Sequence, residues 1–539
     1  MTIQTWHQKA LTKQAAAAAK IPPEWLLPPA IQGLLSLHET TNLLDIPAQT
    51  GLLTARELEI TATEDATALL AKLANKEYTA VEVTIAFSKR AAIAQQLTHC
   101  LTETFFDNAL ARAQHLDDHL TTTGNPIGPL HGLPISLKDC FNITDIPSTL
   151  GFVSFLDHPP PTTNATLVDL LLAAGAVLYV KTNISQAMMS TESHNNVFGR
   201  VLNPHRKTLT GGGSSGGEGA LIALQGSPLG IGTDLGGSIR IPALCCGITG
   251  FKPSSGRVPF AGQTTSGRPG MTGIATVAGP LCRSVRDAEL FMKVVADSHP
   301  EDHDDDVHGL PWSIPQTPTH LTIGLLPEDP ARPYHPSMQR TVSTAGRKLA
   351  KAGHRIIDLT GKYPSIEQAS NLAWRFFQMD PDRTPLTHIT ASQEPLIPSL
   401  KSMLRPGTSS AEPTLRELYD LNVAKADWCG LFRQVFLDNG LDVILGPGYQ
   451  SCAPVHDSFG LPVYTVLANV TDSPACVIPF GRADQMADAE FLRDVEYLPP
   501  YNPRDVEGAP CHVQLIGRRL KDEALIQCAK VVESVLQSE

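Results

Sequence analysis

The stretch Gly211–Gly219 reads GGGSSGGEG and places two adjacent serines, Ser214 and Ser215, among six glycines. Three chemistries compete for it: a phosphate cradle, a nucleophile elbow or a plain linker. Gly211–Gly216 fits GxGxxG, with Asp234 following at about the spacing of a dinucleotide site. The preceding NPHRKTLT is not an apolar strand, however, so that match is weak. Gly212–Gly216 also fits GxSxG, but a nucleophile elbow needs the same missing strand. No Lys-Ser/Thr follows the glycines, which excludes a Walker A loop here, and no lysine follows a serine by three residues. A linker would lead into polar sequence, whereas this loop runs into the helix-forming EGALIALQ.

Two further features could complete a site. In GIGTDLGGSIRIP, from Gly230, a turn ends in Gly236-Gly237-Ser238. Two glycines before a serine let consecutive N–H groups converge on one point, as an oxyanion hole requires; an ordinary turn is the plain alternative. Lys138 closes the apolar segment PLHGLPISLKD. Such a lysine usually snorkels or pairs, but a desolvated one loses basicity toward neutrality and can act as a base. Together the three features supply a serine nucleophile, a bridging serine and a lysine base.

The elements that must position them alternate in character. Residues 65–120 carry helical periodicity, as in VEVTIAFSKRAAIAQQL. From Gly128 onward, short apolar segments are joined by Gly/Pro turns: strands are expected at PLHGLPISLKD, VLYVKTN, GIGTD, HLTIGLLPED and DVILGPG, with helices such as MQRTVSTAGRKLAKAG between them. This alternation implies an α/β layer architecture around a largely covered sheet. Residues 1–60 read as a helical arm with a proline-rich break, IPPEWLLPP, packed on a single large domain over 61–539. Two segments, 299–318 and 393–413, read as surface insertions.

Composition narrows the function classes. A net charge of −12 argues against a nucleic-acid partner and an anionic membrane surface. The ten cysteines contain no CxxC pair, which suits reduced thiols and a cytoplasmic setting better than a disulfide framework or zinc site. LVDLLLAAGAVLYV, from Leu167, is too short for a membrane span and contains Asp169.

The segment GGSSGGEGALIALQGSPLGIGTDLGGSIRIP resembles the signature of the amidase signature family of serine hydrolases. PLHGLPISLKD, TNISQAMMSTESHNNVFGRVLNPH, GFKPSSGRVP, GPLCRSVRDAEL, YTVLANVTDSPA and GAPCHVQLIGRR are similar to other family segments, and IPPEWLLP is similar to fungal acetamidase-type members. The resemblance covers most of residues 60–530. It implies a three-layer α/β/α fold with a large mixed sheet, a signature core near 125–290 and a substrate-pocket and C-terminal part near 320–539. By the same resemblance Ser238 matches the nucleophile, Lys138 the base, and Ser214 a bridging serine that the family holds after a cis peptide bond. The amides of Leu235, Gly236, Gly237 and Ser238 match an oxyanion hole, and Ser215 matches a supporting position. No metal or cofactor is implied.

Other residues carry two readings. Asp234 and Arg240 flank the nucleophile turn, where a structural role fits best. Met188, Met189, Trp374, Phe376 and Phe377 are candidate pocket residues, with core packing as the alternative, and Tyr464 is a further candidate pocket residue. Asp380-Pro381-Asp382 stands where acetamidase-like members carry a DGG. His115 and His119 have metal-pair spacing but lack the HExxH glutamate, and an exposed helix face is the better reading. The EDHDDDVH run from Glu301 is read as a solvated, mobile loop. The expected function is hydrolysis of a small-molecule carboxylic amide. Esters, carbamates and fatty-acid amides are alternatives for the same triad, and a non-catalytic binding protein that keeps the fold is the alternative of another class. A homodimer is the assembly entertained.

Overall fold

The computed structural model describes residues 4–37, 42–313, 315–404 and 412–538. Parts of three expectations therefore lie outside the described residues: 1–3 and 38–41 of the arm, 314 of the first insertion, and 405–411 of the second.

The strands are β1 (Leu101–Thr104), β2 (Pro134–Lys138), β3 (Val177–Thr182), β4 (His194–Asn195), β5 (Gly199–Arg200), β6 (Leu229–Asp234), β7 (Thr249–Lys252), β8 (Val277–Cys282), β9 (Thr322–Leu325), β10 (Arg355–Asp358), β11 (Val443–Gly446), β12 (Ala475–Arg482) and β13 (Pro510–Ile516). β4 and β5 form a small hairpin. The other eleven make one mixed sheet in the order β1-β3-β2-β6-β8-β7-β12-β13-β11-β9-β10. Every residue of β2, β3, β6 and β8 is buried. Such continuous burial, in place of polar–apolar alternation, means that both faces of the sheet are covered, which is the three-layer α/β/α arrangement.

The pairing decides where side chains converge. β2 runs parallel to both β3 and β6, so Lys138 and Asp234, the last residues of β2 and β6, reach the same end of the sheet. In open α/β sheets, ligand sites form outside the carboxyl ends of parallel strands. Helix Gly216–Ala223 starts directly after the serine pair and leads back into β6.

The N-terminal residues bond to later parts of the chain. Lys20 Nζ reaches Glu103 at 2.9 Å, Gln14 donates to the Val197 carbonyl at 2.7 Å, and the Leu27 amide donates to Gln96 at 2.8 Å. Both insertions are also tied down. The acidic run is not uniformly solvated, because Asp304 is buried and its carboxylate accepts the amides of Phe260 at 2.7 Å and Ala261 at 2.8 Å. Two convergent amides compensate a carboxylate that burial alone would penalise. In the second insertion, buried Glu394 accepts the Val153 amide at 2.8 Å, Gln186 Nε2 at 2.9 Å and Asn196 Nδ2 at 2.8 Å. That segment therefore fastens the chain just before Met188.

Candidate active site

Lys138 is fully buried, and its Nζ donates to Ser214 Oγ at 2.7 Å and Thr233 Oγ1 at 2.8 Å. Both partners are neutral hydroxyls. Burial lowers its pKa to about 8, against a smaller upward pull from Cys140, Asp234 and Glu218. A lysine in this setting is available as a neutral amine near physiological pH.

The loop that presents Ser214 is clasped on several sides. The Gly213–Ser214 peptide is cis. The Ser193 amide donates to the Gly212 carbonyl at 2.9 Å, and Ser193 Oγ accepts the Gly216 amide at 2.7 Å. Ser215 Oγ is buried without a hydrogen-bond partner among the described residues.

The second glycine cluster is shaped by a buried ion pair. Arg240 lies across Asp234, with Nε to Oδ2 at 3.0 Å and a terminal nitrogen to Oδ1 at 3.0 Å; both residues are fully buried. The guanidinium is also held by the Thr465 carbonyl at 2.6 Å, Gln514 Oε1 at 2.8 Å and Asn469 Oδ1 at 2.7 Å, so its fork of donors is well occupied. Burial pushes the Asp234 carboxyl up, but Arg240 and the other donors outweigh it and bring its pKa down to about 2. Asp234 in turn accepts the amides of Gly237 at 2.8 Å and Ile239 at 3.2 Å, folding the turn around its side chain.

This capture corrects the expected oxyanion hole. The Gly237 amide is spent on Asp234, which leaves Leu235, Gly236 and Ser238 as the amides with no acceptor among the described residues. Gly237 itself is fixed by geometry: its φ is +130°, and a Cβ there would lie 2.4 Å from Thr465 Oγ1. Thr465 Oγ1 donates to the Gly236 carbonyl at 2.8 Å, which helps set the direction of the adjoining peptide. Ser238 is half-buried, and its hydroxyl makes no hydrogen bond among the described residues.

The candidate pocket residues separate. Phe377 comes within 3.8 Å of where a Gly236 Cβ would stand, and Trp374 packs edge-on against Phe377 at 5.3 Å. These two form an aromatic wall beside the turn. Met188 and Met189 are half-buried against the main core, just before the 190–192 segment that touches Gly213. Tyr464 is a core residue and not an open pocket wall. It is fully buried, its ring lies tilted against that of Tyr334, and its hydroxyl bridges the Asp329 amide and the Arg332 carbonyl, each at 2.9 Å. The buried Asp380 carboxylate accepts the Thr384 amide at 2.7 Å and the Asp382 amide at 3.1 Å, so Asp380-Pro381-Asp382 starts a helix.

Sequence reasoning missed Thr233, Thr465, Asn469, Gln514 and Glu218. Thr233 and Glu218 had a local signal: one adjoins Asp234, and the other is a lone charge in an apolar, glycine-rich helix. Asn469 and Gln514 had none, because they meet Arg240 across 229 and 274 residues of chain.

The covered mixed sheet and its similarity to known proteins make this chain an amide hydrolase. The chain belongs to the Amidase family, whose pattern matches residues 82–526. It is 38% identical to an amidase of Gibberella moniliformis over 99% of both chains, and 36% identical to an acetamidase of Emericella nidulans over 99% of this chain and 98% of that one. Among solved structures it is similar to a fatty acid amide hydrolase, with a TM-score of 0.91, 31% identity and coverage of 98% of this chain and 95% of the other. No helix among the described residues is long and apolar enough to cross a membrane.

Proposed function

We propose that the chain hydrolyses small or medium carboxylic amides to a carboxylate and ammonia or an amine through a Ser238–Ser214–Lys138 relay. The observation that carries this reading is the 2.7 Å hydrogen bond between Ser214 and a fully buried lysine whose partners are all uncharged. Neutral Lys138 takes the Ser214 proton while Ser214 takes that of Ser238. Ser238 Oγ then forms a bond to the amide carbon, and the carbonyl electron pair moves to oxygen. The amides of Leu235, Gly236 and Ser238 face that oxyanion; loss of one such donor typically costs about 2.7–4 kcal/mol. The relay returns its proton to the amine nitrogen as the C–N bond breaks. Water then attacks the acyl-enzyme over the same relay, releasing the acid and restoring Ser238.

Short aliphatic amides are the favoured substrates, in keeping with the acetamidase names of the relatives at 36% and 35% identity. The aromatic wall of Trp374 and Phe377, together with the likeness to a fatty acid amide hydrolase, supports a second reading in which a longer acyl chain is accepted. A fluorophosphonate probe tests the chemistry: it labels the wild type and spares Ser238→Ala, and equal labelling of both would remove Ser238 as nucleophile. A substrate panel from acetamide to aryl and long-chain amides decides between the two pocket readings.

The same proposal includes the single domain over 61–539, cytoplasmic residence and a homodimer. Ten unpaired thiols, nine of them buried, suit a reducing compartment. The exposed Leu415, Tyr419 and Val423, spaced four apart on helix Leu415–Asn439, offer an apolar strip for a second copy. Light scattering that returns a monomer mass at working concentration removes the dimer.

A further inference from the structure

Beneath the proposed relay lies a carboxyl group that it does not use. Glu218 is fully buried in the helix that follows the serine pair. Ser136 Oγ donates to its Oε2 at 2.5 Å, and Thr182 Oγ1 donates to its Oε1 at 2.9 Å. Ser136 Oγ also lies 2.9 Å from Ser227 Oγ, which donates to the Leu229 carbonyl at 2.9 Å. Gly230 sits opposite Ser136 in the β2–β6 pairing, and a Cβ there would lie 2.0 Å from Glu218 Oε2. Three strands thus give up side-chain volume or supply a hydroxyl so that one acid fits inside the protein. An apolar residue would fill the same space without a desolvation penalty, so packing alone does not account for an acid at this position.

Its surroundings suggest a purpose. Ser136 and Lys138 are two residues apart on β2 and therefore project from the same face, about 6.6 Å apart along the strand. The residue that holds the acid and the proposed base are thus same-face neighbours. The other titratable groups facing Glu218 are Tyr179 on β3 and Cys100 just before β1. Burial pushes the Cys100 thiol to about 12 and the Tyr179 phenol well above its usual value, so both stay neutral. Asp234 and Cys140 also face Lys138: Asp234 is an ionised carboxylate that pulls on Lys138 more strongly than Glu218 does and is shared with Arg240, whereas burial lifts the Cys140 thiol to about 11, so it stays neutral. Lys138 is therefore the only cation facing the acid among these groups.

We propose that Glu218 is a positioning residue that acts through Lys138: its carboxyl offsets the positive charge that appears on the buried amine when the relay proton arrives. The idea rests on Lys138 being the base. When the relay fires, an ammonium forms where water cannot solvate it, and a nearby carboxylate lowers the energy of that state. Without the acid the desolvated amine would be a weaker base and a poorer acceptor for a serine proton. Burial raises Glu218 to about 8 despite the hydroxyl donors and Lys138, so the acid is largely protonated below that range, and loss of one proton from the pair leaves either an ammonium beside a carboxylate or a neutral amine beside a neutral acid, between which the relay proton is exchanged.

The test is the pH–rate profile of Glu218→Gln on a simple amide, with Ser136→Ala as a milder second variant that leaves the acid in place. Gln removes the counter-charge and disfavours protonated Lys138, so the acidic limb of kcat/KM should move to lower pH by about one unit. The kcat plateau should fall about tenfold as the base weakens, with KM little changed. Ser136→Ala weakens the carboxylate and should shift the limb the same way by a smaller amount. A Glu218→Gln profile that superimposes on the wild type, or a uniform loss of rate with no movement of the limb in either variant, overturns the proposal. If Glu218→Gln does not fold, the Ser136→Ala limb decides. Lys138→Ala separates this outcome from the parent reading: retained turnover there would remove the base itself, whereas inactive Lys138→Ala with an unmoved Glu218→Gln limb removes only the role of Glu218.

Discussion

Lys138 and Ser214 are hydrogen-bonded at 2.7 Å although 76 residues separate them in the chain. Lys138 comes from the end of a buried strand, and Ser214 comes from a glycine loop clasped by Ser193. The first prediction concerns this contact. Lys138→Met should lower amide turnover by roughly 10²–10⁴-fold, the usual worth of a positioned base. It should not lower the melting temperature, because burial penalises whatever fraction of Lys138 is protonated and methionine removes that penalty. A drop in pKa from 10.5 to about 8 corresponds to about 3 kcal/mol of strain against the charged form. Near-normal turnover would break the relay assignment, and calorimetry checks the stability.

The second prediction is the direction of the pH dependence. The reactive form of Lys138 is the neutral one, so kcat/KM should rise with pH and level off above about 8. Stability should move the same way: the folded pKa lies below the unfolded one, so the folded state gains stability as pH rises from about 8 toward about 10.5. A rate that falls across pH 6–8 contradicts this.

Gly237→Ala tests the turn. The new Cβ would meet Thr465 Oγ1 at 2.4 Å in a backbone conformation that disfavours a side chain. The turn must shift, moving the flanking amides of Gly236 and Ser238. Turnover should fall by roughly 10²–10³-fold, comparable to losing an oxyanion donor. The lesion should appear in kcat more than in KM, and steady-state kinetics distinguishes the two.

Asp234→Asn leaves Arg240 buried without its carboxylate. Breaking such a pair from one side costs about 3–5 kcal/mol, which denaturant titration will register. Acid gives an independent check with a defined sign. Arg240 and its other partners hold Asp234 down to about 2 in the fold, so its stabilising contribution is complete above the unfolded value of about 3.9 and is lost as pH falls toward 2. The Asn variant should lose less stability across that window than the wild type.

Phe377→Ala should change substrate choice more than chemistry. Phe377 borders Gly236 and Trp374 supports it, so removing the ring enlarges the space beside the turn. Turnover of acetamide should change by less than about tenfold, while bulkier amides gain relative kcat/KM. A uniform effect across the panel would place Phe377 in scaffold packing alone.

By itself the sequence determined the strand carrying Lys138, the two glycine clusters and the helix that separates them, because these are local patterns of apolar runs, turns and small residues. It also pointed to Asp234 and Arg240, which lie six residues apart and meet within one turn. Tertiary structure decided the rest. The Gly237 amide goes to Asp234, a choice set by the direction of one carboxylate. Tyr464 fills the core because a loop more than 130 residues earlier supplies partners for its hydroxyl. Asp304 and Glu394, in segments that read as surface insertions, find amides and amide side chains to satisfy them only once the chain is folded. Glu218 is the clearest case. A charge in a glycine-rich helix is legible as an oddity, but its burial depends on Ser136, Thr182 and the bare face of Gly230 arriving from three strands. The free energy of a buried charge depends on the dielectric and the hydrogen-bond partners that surround it, and in a parallel sheet those partners come from far along the chain.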